Sequence, residues 1–283
     1  MIITHLGGGL GNQMFQYALG RKMSLKNKDI FKLDISAYDV KNPRQYELGH
    51  FNIIENIATP EEIRKIKLPY GFFSRLIRSF KARVLRVFNV EFKPHILEKK
   101  GNMYLDGFWQ TEKYFTDIRE NLLKDFSLKN GLKESAAFVA KKIESTTNPV
   151  SLHVRRGDYA QDAYTNAYWG TCDPSYYTRT LAFLKNKIGN FTLFIFSDDI
   201  DWVKENMTFD MPTVFVSNQT IADYEEIILM SKCSHHIIAN SSFSWWGAWL
   251  GQNPQKIVLA PKRWQIKSPH RVKDIVPNSW IKI

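Results

Sequence analysis

Val150-Ser151-Leu152-His153-Val154-Arg155-Arg156-Gly157-Asp158-Tyr159 runs from an apolar strand directly into a charged turn. Four more strand-like runs follow it, at 191–196, 213–216, 236–239 and 256–260. Helix-like runs at 175–188, 200–207, 221–232 and 242–250 lie between or after them. Strands that alternate with helices predict a parallel, doubly wound sheet. Such sheets bind ligands at the carboxyl ends of their strands, so the chemistry is sought there.

Three polar clusters stand at those ends. Two adjacent arginines on an extended chain point to opposite sides, so one of Arg155 and Arg156 faces a ligand while the other braces structure. A planar guanidinium donates several hydrogen bonds and stays charged, which suits a diphosphate. Gly157 lets the backbone turn sharply or approach a ligand. An Arg–Asp ion pair closing the strand end is the alternative. In Phe194-Ile195-Phe196-Ser197-Asp198-Asp199, carboxylates either accept from the N1–H and N2–H₂ donors of guanine, or from ribose hydroxyls, or cap the next helix. Asp199-Ile200-Asp201 also spells the metal-binding triplet DxD, a pattern short enough to arise by chance. In Asn240-Ser241-Ser242-Phe243-Ser244-Trp245-Trp246-Gly247 a strand passes into a helix. Serine hydroxyls and backbone N–H groups at a helix start bind anions. A plain serine cap with Trp245, Trp246 and Trp249 in the core is the simpler reading.

The N-terminal half opens on another strand, at 2–6, followed by Gly7-Gly8-Gly9-Leu10-Gly11-Asn12-Gln13. This is not GxGxxG, whose last glycine would fall on Asn12, and no GK[ST] follows. The glycines predict a tight turn under close ligand approach, with Asn12 and Gln13 placed to bond sugar or phosphate oxygens. A helix with Met14, Tyr17, Ala18, Met23 and Leu25 as buried positions, then a strand at 31–34, opens a βαβ unit. Thr59-Pro60-Glu61-Glu62 predicts a capped helix start. Residues 72–90 are a basic amphipathic stretch, read as a solvated face or as a peripheral contact with an anionic membrane. A helix at 134–145 precedes Thr146-Thr147-Asn148-Pro149, a polar boundary that divides the chain into 1–148 and 149–283.

The composition narrows the class. The 283 residues, 44% of them hydrophobic, suffice for globular cores and predict two domains. No run of 18 apolar residues and no signal-peptide pattern appears, which predicts a cytoplasmic protein. The two cysteines, Cys172 and Cys233, fit no metal or CxxC pattern. A net charge of +11 favours anionic partners. It is matched by no nucleic-acid-binding motif. No Ser/His/Asp triad, HExxH or covalent nucleophile is recognisable, and the missing GxGxxG argues against a dehydrogenase.

Taken together, Gly9 to Tyr17, Tyr104-Leu105-Asp106-Gly107-Phe108-Trp109-Gln110-Thr111-Glu112-Lys113-Tyr114-Phe115, His153 to Tyr159 and Asn240 to Trp246 resemble, in order, the α-1,2-fucosyltransferase family, in its bacterial type. The His-x-Arg-Arg-Gly-Asp segment is shared with α-1,6- and protein O-fucosyltransferases, so it implies GDP-fucose more firmly than linkage. The resemblance implies a GT-B fold, with two Rossmann-like domains whose parallel sheets face a cleft. It implies an inverting, metal-independent transfer of L-fucose from GDP-fucose to the 2-hydroxyl of a terminal galactose in a surface polysaccharide or host-like glycan. Arg155 would bind the diphosphate, His153 would lie near guanine, and Asp198 would accept from its edge. Ser241, Ser242 and Phe243 would complete the phosphate cradle. Gly11, Asn12 and Gln13 would reach the substrates, with Asp106 and Gln110 in the cleft. Asp158, Asp106 and His5 are candidate bases for the acceptor proton.

Overall fold

The computed structural model describes residues 1–38, 44–67, 91–157, 163–267 and 272–283. The basic stretch 72–90 and Asp158 lie outside the described residues. The chain divides into two compact units, residues 1–129 with 271–277, and residues 130–270 with 278–283. The helix at 134–144 therefore belongs with the second unit and a C-terminal segment with the first.

The first unit is built on β1 (Ile2–His5), α1 (Leu10–Asn27), β2 (Phe31–Asp34), α2 (Pro60–Lys67), β3 (Met103–Leu105) and α3 (Arg119–Asp125). Its sheet order is β2-β1-β3, all parallel, with Thr4 paired to both Leu33 and Leu105. β3 went unread in the sequence, because Met103-Tyr104-Leu105 is too short to show a period. α1 is buried along most of its length, Leu10, Met14, Phe15, Tyr17, Leu19 and Met23 included. It crosses the sheet at Gly20, where a Cβ would stand 2.1 Å from Thr4 Oγ1 and 2.4 Å from Phe31 Cε2. Only a residue without a side chain permits that approach. α1 ends at Lys28, a left-handed residue with φ 52°. The start of α2 is the expected capping box: Glu62 N donates to Thr59 Oγ1 at 3.2 Å and Thr59 N to Glu62 Oε2 at 2.9 Å.

The second unit carries α4 (Glu134–Glu144), β4 (Pro149–Val154), α5 (Ala163–Trp169), α6 (Pro174–Ile188), β5 (Thr192–Ser197), α7 (Ile200–Asn206), β6 (Thr213–Phe215), α8 (Asp223–Lys232), β7 (His235–Ile237), α9 (Ser242–Leu250), β8 (Val258–Ala260) and β9 (Ile281–Lys282). The sheet order is β6-β5-β4-β7-β8-β9, parallel throughout. The chain moves outward one way from β4 to β6, then returns to the other side of β4 at β7. That reversal is the Rossmann switch point, and a crevice at the carboxyl ends of β4 and β7 follows from it. Val150, Leu152, Val154, Leu193, Ile195, Ile237 and Leu259 pack with Tyr176, Tyr177 and Leu184 of α6 into one core. Trp245, Trp246 and Trp249 are buried and stack among themselves, so the core reading of these tryptophans holds. Among the described residues, no helix is long and apolar enough to cross a membrane.

Candidate active site

In the second unit the sheet's reversal brings together the turn after β4 and the start of α9. His153, the penultimate residue of β4, is buried, and its ring lies 5.7 Å from that of Phe243. Burial, and then the nearby Arg155 charge, push its imidazole down to about 3, so it is neutral at physiological pH. Its Nδ1 is buried without a hydrogen-bond partner. A buried polar atom left unsatisfied costs about 1–3 kcal/mol, which is consistent with a ligand site.

The two arginines part as an extended chain requires. Arg156 stacks its guanidinium 3.6 Å above the Trp202 ring and faces Asp199 at 3.4 Å, which makes it the brace. Arg155 pairs through Nη1 with Asp198 Oδ2 at 2.9 Å. The other Asp198 oxygen accepts the Arg156 backbone N–H at 2.8 Å. Asp198 is thus held from both sides by the turn it faces, in the strand-end ion pair that the residues themselves allowed. Gly157 closes the turn so tightly that a Cβ there would lie 2.1 Å from Asp198 Oδ2.

Helix capping after β5 falls to Asp199, whose Oδ1 accepts the Trp202 N–H at 3.4 Å. Asp201 pairs outward with Lys204 at 3.0 Å. The two carboxylates of the DxD triplet thus engage different basic partners. Among the described residues no cluster of three His, Cys, Asp or Glu could hold a metal.

Ser241 caps α9, its Oγ accepting the Phe243 N–H at 3.3 Å. Ser242 and Phe243 form the first turn of that helix. Asn240 fixes the approach: its amide donates to the carbonyls of Gly170 at 2.9 Å and Trp264 at 3.2 Å. The helix start is thereby fixed with its N–H groups at the end of β7, where an anion is favoured.

One residue of this end was missed in the sequence. Glu226 on α8 is buried and hydrogen-bonds Ser217, whose Oγ accepts the Ser197 N–H at 2.9 Å. Burial raises the carboxyl to about 8, and the charges of Asp223 and Asp198 add to the effect. Its place within Asp223-Tyr224-Glu225-Glu226 gives no local sign of that position. Only the fold turns it inward.

The first unit has its own polar cluster where β1, β2 and β3 end. Gly8, at φ +81°, would bring a Cβ within 2.6 Å of Asn12 Nδ2. Asn12 Oδ1 accepts from Gln110 Nε2 at 2.7 Å. Gln110 follows Trp109, which is itself left-handed at φ 55° and buried, with no partner for its indole N–H. Gln13 is buried and bonds backbone: Nε2 reaches the carbonyls of Gly8 at 3.2 Å and Gln45 at 2.8 Å, and Oε1 accepts the Glu47 N–H at 3.0 Å. It holds the glycine turn in place. Gly11 lies buried in the first turn of α1. Asp106, just after β3, meets His5 at the end of β1, Nδ1 to Oδ1 at 3.2 Å. Asp34, ending β2, accepts from the Tyr104 hydroxyl at 2.5 Å and the Ser36 N–H at 3.0 Å, with Lys67 at 3.6 Å.

The chain is similar to known proteins in sequence and in fold. An α-1,2-colitosyltransferase of Escherichia coli is 34% identical over the whole chain and 99% of its own length. The O-antigen biosynthesis glycosyltransferase WbnK of Escherichia coli is 31% identical over 98% of this chain and 99% of its own. Among solved structures, an α-1,6-fucosyltransferase, NodZ, soaked with GDP-fucose matches at a TM-score of 0.50 and 14% identity, over 91% of this chain and 94% of that one. The fold is therefore α/β of the GT-B-like kind, built from two units with parallel sheets. With a match to Glycosyl transferase family 11 along residues 1–283, the chain belongs to that family, the α-1,2-fucosyltransferase family.

Proposed function

We propose that the protein is an inverting α-1,2-fucosyltransferase that moves L-fucose from GDP-fucose to the 2-hydroxyl of a terminal galactose. The observation that carries this reading is Arg155 just past the end of β4, at the reversal of strand order, where His153 of the same strand meets Phe243 in the capped start of α9. As GDP leaves, negative charge gathers on its β-phosphate while the sugar becomes oxocarbenium-like. Arg155 and the N–H groups of the first turn of α9 stabilise that charge, so no metal is required. Guanine lies against His153 and Phe243. Its N1–H and N2–H₂ donate to the Glu226 carboxylate, whose burial with no basic partner among the described residues suits a ligand that brings its own donors. Asp198 keeps Arg155 in place until the diphosphate takes it over. The first unit supplies the acceptor side through Asn12, Gln110 and Asp106. The reaction takes place in the cytoplasm, with the basic stretch 72–90 near the inner membrane face, during assembly of an O-antigen-type glycan.

A second donor is favoured by the full-length likeness to an α-1,2-colitosyltransferase. Colitose is fucose without its 3-hydroxyl, so the same site would take GDP-colitose. The test offers each GDP-sugar with lactose as acceptor, with and without EDTA, to the wild type and Arg155→Ala. EDTA-resistant 2′-fucosyllactose, lost in the variant, is the expected result. Turnover of GDP-colitose alone moves the assignment to colitose. No binding of GDP by the folded protein overturns the reading.

A further inference from the structure

We propose that His5 takes the proton from the acceptor hydroxyl, with Asp106 as its positioning partner; this rests on the transferase reading above. β1 and β3 are hydrogen-bonded neighbours with Thr4 opposite Leu105. The next residue on each strand, His5 and Asp106, therefore emerges side by side at the carboxyl edge of the sheet. Their contact, Nδ1 to Oδ1 at 3.2 Å, places the imidazole proton on Nδ1 and the basic lone pair on Nε2. Nε2 has no hydrogen-bond partner among the described residues. The side chain is 11% exposed, so the ring is held by packing without being sealed. Gly7 lies next to it: even a Cβ there would sit 3.7 Å from Cε1.

The surrounding charges suit a group that becomes cationic during reaction. Among the described residues, the titratable groups that face or flank the imidazole are Asp106 and Tyr104 of the β3 segment, Asp34 of β2, and Lys67 of α2, which contacts Asp34. Asp34 is wholly buried and its carboxyl is held below the ordinary range, through bonds from Ser36 and Tyr104 and the field of His5 that outweigh its burial. Two carboxylates therefore stabilise an imidazolium. Asp34 is itself unsuited as the base, because its oxygens are occupied by Ser36, Tyr104 and Lys67.

The step balances. The acceptor O–H bond breaks and its electron pair forms the bond to the anomeric carbon. The anomeric C–O bond breaks with its pair going to the GDP β-phosphate, and the proton passes to His5 Nε2. Loss of that proton to water restores the base. General-base catalysis contributes about 10²–10⁴-fold.

His5→Gln, His5→Ala and Asp106→Asn are compared with the wild type for kcat, KM, GDP affinity and melting temperature across pH. His5→Gln is expected to lower kcat by roughly 10²–10⁴ with GDP affinity unchanged. Added imidazole is expected to restore part of the turnover of His5→Ala. Asp106→Asn keeps a hydrogen-bond acceptor but loses the anion, so the acid limb of its pH profile should move to lower pH. Turnover of His5→Gln within threefold of wild type, or an acid limb unmoved in Asp106→Asn, overturns the proposal. Loss of melting temperature and GDP affinity together with kcat does so too, since that describes a structural pair. Wild-type protein that binds no GDP-fucose sinks the donor assignment and the base with it; bound donor with an unaffected His5 variant sinks the base alone.

Discussion

The Arg155 guanidinium and the Asp198 carboxylate form an ion pair 2.9 Å long at the ends of adjacent strands β4 and β5. A pair so placed makes donor binding an exchange in which phosphate displaces carboxylate. Arg155→Ala is expected to lower kcat/KM by about 2.7–4 kcal/mol, the worth of one preorganised donor. Asp198→Asn removes the competitor and should leave GDP affinity equal or tighter in a calorimetric titration. A tenfold loss would instead assign Asp198 to the guanine edge.

Gly157→Ala should be the more damaging change at this turn than its size suggests. The new Cβ would lie 2.1 Å from Asp198 Oδ2, and that oxygen is held by Arg155. Overpacking of this kind costs about 1–3 kcal/mol, and GDP affinity should fall with stability, since the displaced carboxylate carries Arg155 with it.

Glu226 sets a pH dependence. Its carboxyl stands at about 8 in the fold against 4.5 for the free residue. Between those values the native state holds a proton that the unfolded chain has released, so stability falls as pH rises. The contribution is complete below pH 4.5 and lost by about pH 8. Glu226→Gln removes the titration, so its melting temperature should decline less than that of the wild type over this window.

The same carboxyl predicts proton release on GDP binding near neutral pH. Guanine N1–H and N2–H₂ require an ionised acceptor, while His153, already neutral, contributes nothing. Titrations in buffers of different ionisation enthalpy would read it. A heat independent of buffer would place guanine elsewhere.

Lys28 ends α1 in the left-handed region at φ 52°. Such a conformation costs a side-chain-bearing residue roughly 1–2 kcal/mol that glycine escapes. Lys28→Gly is expected to raise stability by about 1 kcal/mol, seen as a higher denaturant midpoint with turnover unchanged.

Much of the second unit was legible because its strands are apolar and α6, α7 and α9 begin at the side-chain caps Asp173, Asp199 and Ser241. Ser242–Leu250 matches the expected helix, and the remaining ends differ by one or two residues. Strand geometry said that one of Arg155 and Arg156 braces structure, and the contacts of Arg156 with Trp202 and Asp199 show it to be a brace. What stayed hidden depended on long-range placement. β3 and β9 have two or three residues each, too few for a period. Glu226 is one of three acids at a helix start, and no local pattern tells the buried Glu225 and Glu226 from the exposed Asp223. Asp106 and His5 are 101 positions apart, and only the pairing of β1 with β3 makes them neighbours.

Gly20 has no chemistry, yet α1 lies against β1 and β2 through it without clearance. Any side chain would lift the helix, and the same helix begins at Leu10 and carries Asn12. In a survey of tolerated substitutions Gly20 would therefore score like a reactive residue. The route differs: its variants should yield less folded protein, and the molecules that do fold should turn over more slowly because Asn12 moves with the helix.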